Sequence, residues 1–540
     1  MVMETAGEVS LTDVEQRLVD HVTRGELLDL AAAEPVDEAA MRSWDSTRTI
    51  RAAVLRDILR GRLAPDPDPH GLRLRGARIA GRLDLENLTT SVWVGLYDCL
   101  LGEGLDARGA TLPGLVLSGC RLEDPSQPPL AADLLTAAML VLDRAVITAA
   151  CEAGAVRLGG AHLRGQLSCT DATIRNDTGP ALLADGLQVD QGVFLRGGFE
   201  AVGAGELGAV RLPGAHLGQL SCTDATMRNN AGPALLADRL QVDQSVFLSG
   251  GFEAVGAGEA GAVRLPGAHL GSQLACTDAT MRNDTGPALL ADGLQVDQGV
   301  FLRDGFEAVG AGSDVTLDLS HVRVGGELEF APARLEHTAN PQARLALDGL
   351  TYAGLPAGIS SRDWLRLLRE ATPSYAAQPY QQFAGAHRAA GHDGEVRRTL
   401  MAQRQDQIDR KALTGRAERA WARLTGVTLG YGYQPWRALL ALVAVATIAA
   451  VLALYLGAHG GVARVNPHPA AATRCSAVER VGVGLDLGLP LVKTGARDHC
   501  NTTASTTGQA LTVAGWGLQL LAWAFATLFV AGFTGAVRKT

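Results

Sequence analysis

A block of about 54 residues is written three times into this chain, and nothing else in the sequence constrains the fold as strongly. The copies span 154–207, 208–260 and 261–314, and each opens Gly-Ala-Val-Arg-Leu. They stay nearly identical through Gly198-Phe199-Glu200, Gly251-Phe252-Glu253 and Gly305-Phe306-Glu307, and the second copy is one residue shorter near Gly218. Units of this kind cannot bury a core singly, so they stack into an array.

Each block divides again. Ala161-His-Leu163-Arg-Gly165-Gln-Leu167-Ser-Cys169 is apolar or Gly at every second position, and Val189-Asp-Gln-Gly192-Val-Phe-Leu195 is a looser version about 26 residues later. The pattern recurs at Ala77–Leu85 and Val322–Phe330, and in degenerate form at Ala110–Gly114. Alternation is the strand pattern, and a Gly inside it marks a bend or a close backbone approach. Residues 71–330 therefore read as about ten rungs of roughly 25–28 residues, a rod on the order of 45–50 Å long at the spacing of paired strands. The expected class is mainly β: a right-handed parallel β-helix with flanking α-helices. Sixty-four Gly and only 5% aromatic residues fit tight corners around a slim aliphatic core.

The flanks should cap the rod, because an open end is an unpaired sheet edge. Residues 1–70 predict a helical cap. Val14, Leu18, Val22 and Leu27–Leu30 fall near helical spacing, as do Ile50, Val54, Leu55, Ile58 and Leu59, and Pro65-Asp-Pro-Asp-Pro69 stops the second run. Residues 331–360 read as a linker or second cap. Residues 361–436 read as helical and juxtamembrane, with a tetratricopeptide-like pair around Tyr380–Ala390 and Val396–Gln407.

Two stretches, 438–457 and 511–537, carry no charge and are long enough to span a bilayer as helices. Arg416, Arg419, Arg423 and Arg437 precede the first, and Arg538 and Lys539 follow the second. That bias places both termini and the rod in the cytoplasm of a bacterial inner membrane. Residues 1–20 carry several acids and no apolar run, so they do not read as a signal peptide. The loop 458–510 holds Cys475 and Cys500, a candidate disulfide if that loop faces an oxidising compartment.

A net charge of -9 argues against nucleic acid as partner. Gly203-Ala-Gly-Glu-Leu-Gly208 and Gly256-Ala-Gly-Glu-Ala-Gly261 match the dinucleotide fingerprint in letters, but Pro213 and Gly214 stand where the first would need its helix. They read as corners. Thr428-Leu-Gly-Tyr-Gly432 looks like a potassium-channel filter but precedes the first apolar stretch, so it reads as an interfacial turn with Tyr431, Tyr433 and Trp436 at headgroup level. His162, His216 and His269 repeat beside Cys169, Cys222 and Cys276, yet alternation turns the His outward if the Cys are core. No metal site is expected there. Asp190, Asp243 and Asp297, with Glu200, Glu253 and Glu307, form acidic ladders that read as a solvated face with Arg196 and Arg303 interspersed, or as a surface for Ca²⁺ or a basic partner. The sequence yields no catalytic constellation and no cofactor site.

Several segments together resemble a known group. These are Gly179-Pro-Ala-Leu-Leu-Ala-Asp-Gly-Leu-Gln-Val-Asp within the repeats, Gly391-His-Asp-Gly-Glu-Val-Arg-Arg, Gly426-Val-Thr-Leu-Gly-Tyr-Gly, and Gly484-Leu-Asp-Leu-Gly-Leu-Pro between the apolar stretches. They look like actinobacterial, Streptomyces-type two-span membrane proteins with pentapeptide-like β-solenoid repeats, often labelled membrane-associated oxidoreductase. The resemblance implies that architecture; its redox label brings no catalytic residue to carry over. The functional expectation is a membrane-anchored scaffold whose rod meets a protein or polymer partner. The alternatives are the redox enzyme of that label and a two-span channel or transporter subunit.

Overall fold

The computed structural model of the chain describes residues 10–32, 36–412, 415–432, 434, 436–465, 474–490 and 492–539. It forms two compact units, 1–390 and 391–540.

The first unit is a parallel β-solenoid with four faces. Strands on its first and second faces make 12-stranded sheets, those on the third an 11-stranded sheet, and those on the fourth an 8-stranded sheet. About eleven turns stack in this way, each strand pairing in parallel with its equivalent one turn on. In one turn the chain passes Gln166–Ser168 on the first face, Thr173–Asn176 on the second, Leu182–Leu183 on the third and Gln188–Val189 on the fourth. The next turn brings Val193 beside Leu167 and Ala201 beside Ile174.

The core explains why the sequence repeats over two turns and not one. Phe199, Phe252 and Phe306 are fully buried at the corner between the first two faces. Phe252 pairs directly with Ala279 of the following turn. On the first face, Cys276 pairs with Leu302 in the same alternation. One turn thus carries a small pair, Cys and Ala, and the next a large pair, Leu and Phe. Alternating large and small side chains fills the interior without voids or strain.

The glycine of the repeat pattern is set by turn-to-turn approach. A Cβ at Gly165 would lie 2.6 Å from the Ala138 carbonyl oxygen, and one at Gly326 2.1 Å from that of Gln298. At the next corner but one, Asn176, Asn229 and Asn283 form a buried column. Asn176 Nδ2 donates to the Cys151 and Pro180 carbonyls at 2.9 and 2.8 Å, and Asn283 Oδ1 accepts from the Thr285 and Gly286 amides at 3.0 Å. These side chains satisfy backbone groups that the corner removes from the sheets.

Both ends are capped. Helix α1 (Asp13–Arg24) starts in a capping box, Thr12 with Glu15, and ends at Gly25 in the left-handed region. Short α2 (Glu38–Ser43) and α3 (Ala52–Leu59) follow. The sequence places Leu27–Leu30 and Ile50 at helical spacing, but Leu28–Asp29 and Thr49–Arg51 are strands that pair with the first turn. The exposed edge of that turn takes up any extended segment offering free amides, which local periodicity does not reveal. Glu15, fully buried, receives Arg51 at 2.6 Å and ties α1 to the second of these strands.

At the far end the turns continue beyond 330: Arg334–His337 and Leu345–Ala346 join the second and third sheets, and Thr351 and Ala357 bridge to the fourth and first. Helix α4 (Ser361–Glu370) lays Trp364 over the open core, against Phe330 and Tyr352, with ring centroids 5.6 and 6.2 Å apart. From α5 (Gln378–Ala389), Gln378 and Gln382 donate to the Leu350 and Tyr352 carbonyls at 2.8 Å. The last sheet edge is thereby satisfied by side chains.

The second unit is helical: α6 (Asp393–Asp409), α7 (Arg416–Leu429), α8 (Trp436–Leu456), α9 (Ala477–Gly488), α10 (Ala496–His499) and α11 (Thr506–Lys539). The tetratricopeptide-like pair expected from sequence corresponds to α5 and α6, which belong to different compact units. Among the described residues, two helices are long and apolar enough to cross a membrane, over Trp436–Gly461 and Thr506–Ala531. Only 17% and 11% of their most apolar windows are buried within the fold, whereas the core helix of a soluble protein would be mostly covered.

Candidate functional site

The outer faces of the solenoid carry three ladders of charge. On the fourth face each repeated His meets an Asp one turn on: His162 Nε2 lies 3.2 Å from Asp190, His216 2.9 Å from Asp243, and His269 3.1 Å from Asp297. All six side chains are well exposed. On the third face Arg157, Arg211 and Arg264 reach Asp133, Asp185 and Asp238 of the preceding turn at 2.8, 2.6 and 2.7 Å. On the second face Arg175 pairs with Glu200 and Arg228 with Glu253 at 2.9 and 3.1 Å, while in the third copy Arg282 turns to Asp284 at 3.1 Å. Each pair is worth little alone because solvent screens it. Their value lies in spacing: equivalent pairs recur every second turn, about 10 Å apart at the sheet repeat.

Two expectations about these ladders change. The acids of the fourth face are met by His, not by Arg. Arg303 lies on the first face and Arg196 just past it, each packing over the aromatic two residues before it, 4.8 Å from the Phe194 centroid and 5.3 Å from that of Phe301, while Arg303 also meets Glu329 of the next turn at 2.6 Å. The reason is register. Arg303 and Phe301 share the outer side of one strand, Gly299–Arg303, so a cation–π contact needs no change of turn.

The repeated cysteines are core. Cys169, Cys222 and Cys276 have no exposed surface, and burial pushes the Cys276 thiol up to about 12 and those of Cys169 and Cys222 higher still. Such thiols are inert hydrophobes. The G-x-G-x-x-G segments are corners: the strand Glu200–Gly203 is followed by a turn and the two-residue strand Val210–Arg211, so no helix N-terminus faces Gly208. Open grooves lie at the C-terminal cap, one of about 460 Å³ lined by Tyr352, Gln378, Gln382 and Ala386. Burial holds the Tyr352 phenol well above the ordinary range, so it stays protonated.

In the helical unit Cys475 and Cys500 form a disulfide with a Cα–Cα distance of 6.3 Å. Glu479 lies near both sulfurs, but bonded sulfurs are not thiolates and do not make a metal site with it. Strands Val462–Arg464 and Cys500–Thr502 pair antiparallel beside the bridge. The filter-like segment Thr428–Gly432 is the end of α7 and a turn, with Gly430 in the left-handed region; Tyr433 lies outside the described residues. Helix α7 exposes Trp421, Leu424 and Val427 on one side, an apolar stripe that fits a helix lying at a membrane surface.

Helix α9 is the element that sequence reasoning missed. It was part of a loop, yet it packs closely on both long helices. A Cβ at Gly484 would lie 2.5 Å from the Ala449 carbonyl oxygen, and one at Gly488 2.7 Å from the Ala449 Cβ. A Cβ at Gly515 would meet the Cβ of Leu487 at 3.1 Å. The spacing Gly484-x-x-x-Gly488 was the available clue, since small residues four apart let helix backbones meet.

Comparison with known protein families, curated proteins and solved structures gave no match for this chain.

Proposed function

We propose that this chain is a membrane-anchored scaffold whose solenoid presents a periodic charged surface to a protein or polymer partner. The observation that carries the reading is the recurrence of equivalent polar pairs every second turn, His–Asp on the fourth face and Arg–Asp on the third, in a chain whose described residues also include two helices long and apolar enough to cross a membrane. A repeated surface recognises a repeated or extended partner through many weak contacts that act together. In this reading the disulfide lies in the oxidising compartment, and chain connectivity then puts the solenoid and the C-terminus on the opposite, cytoplasmic side of the inner membrane.

The test is crosslinking of the full-length chain in native membranes. A partner crosslinked to the wild type and lost from the triple variant D190N/D243N/D297N supports the reading. A crosslinking pattern identical for the two, or no crosslinked species, counts against the fourth-face ladder as the docking surface. A second reading, a two-span channel or transporter subunit, is favoured by one observation: α9 packs against both apolar helices instead of looping clear of them.

A further inference from the structure

Basic charge gathers at one place in this acidic chain. Between 410 and 437 stand Arg410, Lys411, Arg416, Arg419, Arg423 and Arg437, with Glu418 the one acid among them, in a chain of net charge -9. The repeated arginines of the solenoid meet carboxylates, as Arg157, Arg211 and Arg264 do. Among the described residues, Arg419, Arg423 and Arg437 meet none. Arg419 and Arg437 reach only backbone carbonyls, those of Gly415 at 3.4 Å and Gly426 at 3.5 Å. A guanidinium holds its charge at any working pH, so these three are open to an external anion.

The helix that carries two of them is also apolar on one face. Ala417, Trp421, Leu424 and Val427 fall together at helical spacing and are exposed, Val427 at 75%. Arg419 and Arg423, four apart, share one flank of the helix, and Glu418 stands on the other. Thr428 turns its hydroxyl onto the Leu424 carbonyl at 2.7 Å, and Thr425 onto that of Trp421 at 3.0 Å, so neither leaves a polar group unsatisfied. With 14 residues, about 21 Å, α7 is too short and too charged to cross a bilayer.

The end of α7 is fixed to the start of α8. Gly430 and Tyr431 both take left-handed backbone, which ends the helix and redirects the chain. A Cβ at Gly426 would lie 2.7 Å from the Tyr431 ring, and Arg437, next to the first residue of α8, donates to the Gly426 carbonyl. Helix α7 is thus held at the mouth of the first apolar helix, where a bilayer surface lies if that helix crosses one. Acyl chains suit its apolar face and negative headgroups suit its arginines.

We propose that α7 lies on the membrane with Ala417, Trp421, Leu424 and Val427 among the acyl chains, and that Arg419, Arg423 and Arg437 bind the headgroups of anionic phospholipids beside it. This goes beyond the scaffold reading and rests only on the two long apolar helices being membrane spans.

The experiment uses the full-length chain with a bimane on single added cysteines. It is reconstituted into vesicles of phosphatidylcholine and phosphatidylglycerol whose acyl chains carry bromine, which quenches on contact. The native free cysteines all lie in the solenoid and all but Cys151 are buried, so the unsubstituted chain sets the background. Val443→Cys and Leu520→Cys, on exposed surfaces of the two long helices, should be quenched, and bright labels at both overturn the spans themselves. With those two quenched, Leu424→Cys and Val427→Cys should be quenched as well, while Glu418→Cys stays bright. Bright labels at Leu424 and Val427, or equal quenching at Glu418, overturn the seating of α7. Headgroup binding has its own readout. Spin-labelled phosphatidylglycerol should associate with the chain about fivefold more than spin-labelled phosphatidylcholine, roughly the effect of one arginine at a membrane surface. R419Q/R423Q/R437Q should remove that preference and R419K/R423K/R437K should keep it. Equal association of the two lipids, or a preference that survives the glutamine variant, overturns the headgroup site.

Discussion

At Gly218 a single methyl group separates a stacked turn from a displaced one. Its Cβ would lie 2.2 Å from one backbone carbonyl oxygen and 2.4 Å from another, those of Gln191 and Asp190. Backbone cannot yield as a flexible side chain can, so the turns would have to part locally. We expect Gly218→Ala to cost more than about 2 kcal/mol, read as a lower urea midpoint for the solenoid, whereas Gly186→Ala, where a Cβ meets nothing within 4 Å, should cost less despite its left-handed backbone. Equal midpoints for the two variants would contradict this account of the close approach between turns at Gly218. The residue scale also shows what sequence could and could not reveal. Inward Leu163, Leu167 and Cys169 were legible because alternation has one physical reading. The buried Asn column was not, since Asn176 sits in a run of Asn, Asp, Thr, Gly and Pro that reads as an ordinary exposed turn. The partners of Asp190, Asp243 and Asp297 were hidden as well, because each His lies one turn earlier and only the register brings the pair together.

Among the elements, the caps hold the solenoid closed, and the N-terminal one is pH-sensitive. Burial of Glu15 opposes its ionisation, but hydrogen bonds from Arg51 and from the Thr12 amide outweigh that and hold its carboxyl down at about 2, against an ordinary 4.5. A carboxyl whose folded value is depressed stabilises the fold at pH above its unfolded value, and that contribution is lost as pH falls through the folded one. The N-terminal cap should therefore weaken from about pH 4.5 down to about 2. Glu15→Gln should cost roughly 2 kcal/mol near neutral pH, and its melting temperature should fall less steeply than wild type across the acid range. Parallel pH profiles for the two proteins would remove Glu15 from this role. Helix α9 shows why an element escapes sequence reading: with glycine at 482, 484 and 488 it has little helix propensity of its own, and packing against α8 and α11 supplies what its sequence lacks.

On the scale of the whole molecule, the two-turn alternation of core volume makes a prediction that a one-turn description does not. Removing 208–260, a complete two-turn copy, leaves a large turn still facing a small one at the junction. The shortened protein should fold cooperatively with a modestly lower melting temperature, as repeat arrays do when one unit is lost. Removing a single turn from the same block puts two turns of like volume face to face, either Phe against Phe or Cys and Ala against their like. That variant should be overpacked or hollow, and destabilised by at least about 3 kcal/mol more than the two-turn deletion. Comparable melting curves for the two deletions would refute the volume argument. The two apolar helices were legible at this scale because absence of charge over such a length has few soluble explanations.

The central claim, a solenoid tethered by two membrane spans with the disulfide on the far side, is most directly tested by which surface of sealed vesicles each part occupies. Cysteines placed at the exposed Glu206 of the solenoid and the exposed Ala504 beside the second apolar helix should be labelled by an impermeant maleimide from opposite faces only, with the protein resisting carbonate extraction. Labelling of both positions from one face, or release of the protein by carbonate, would contradict the account.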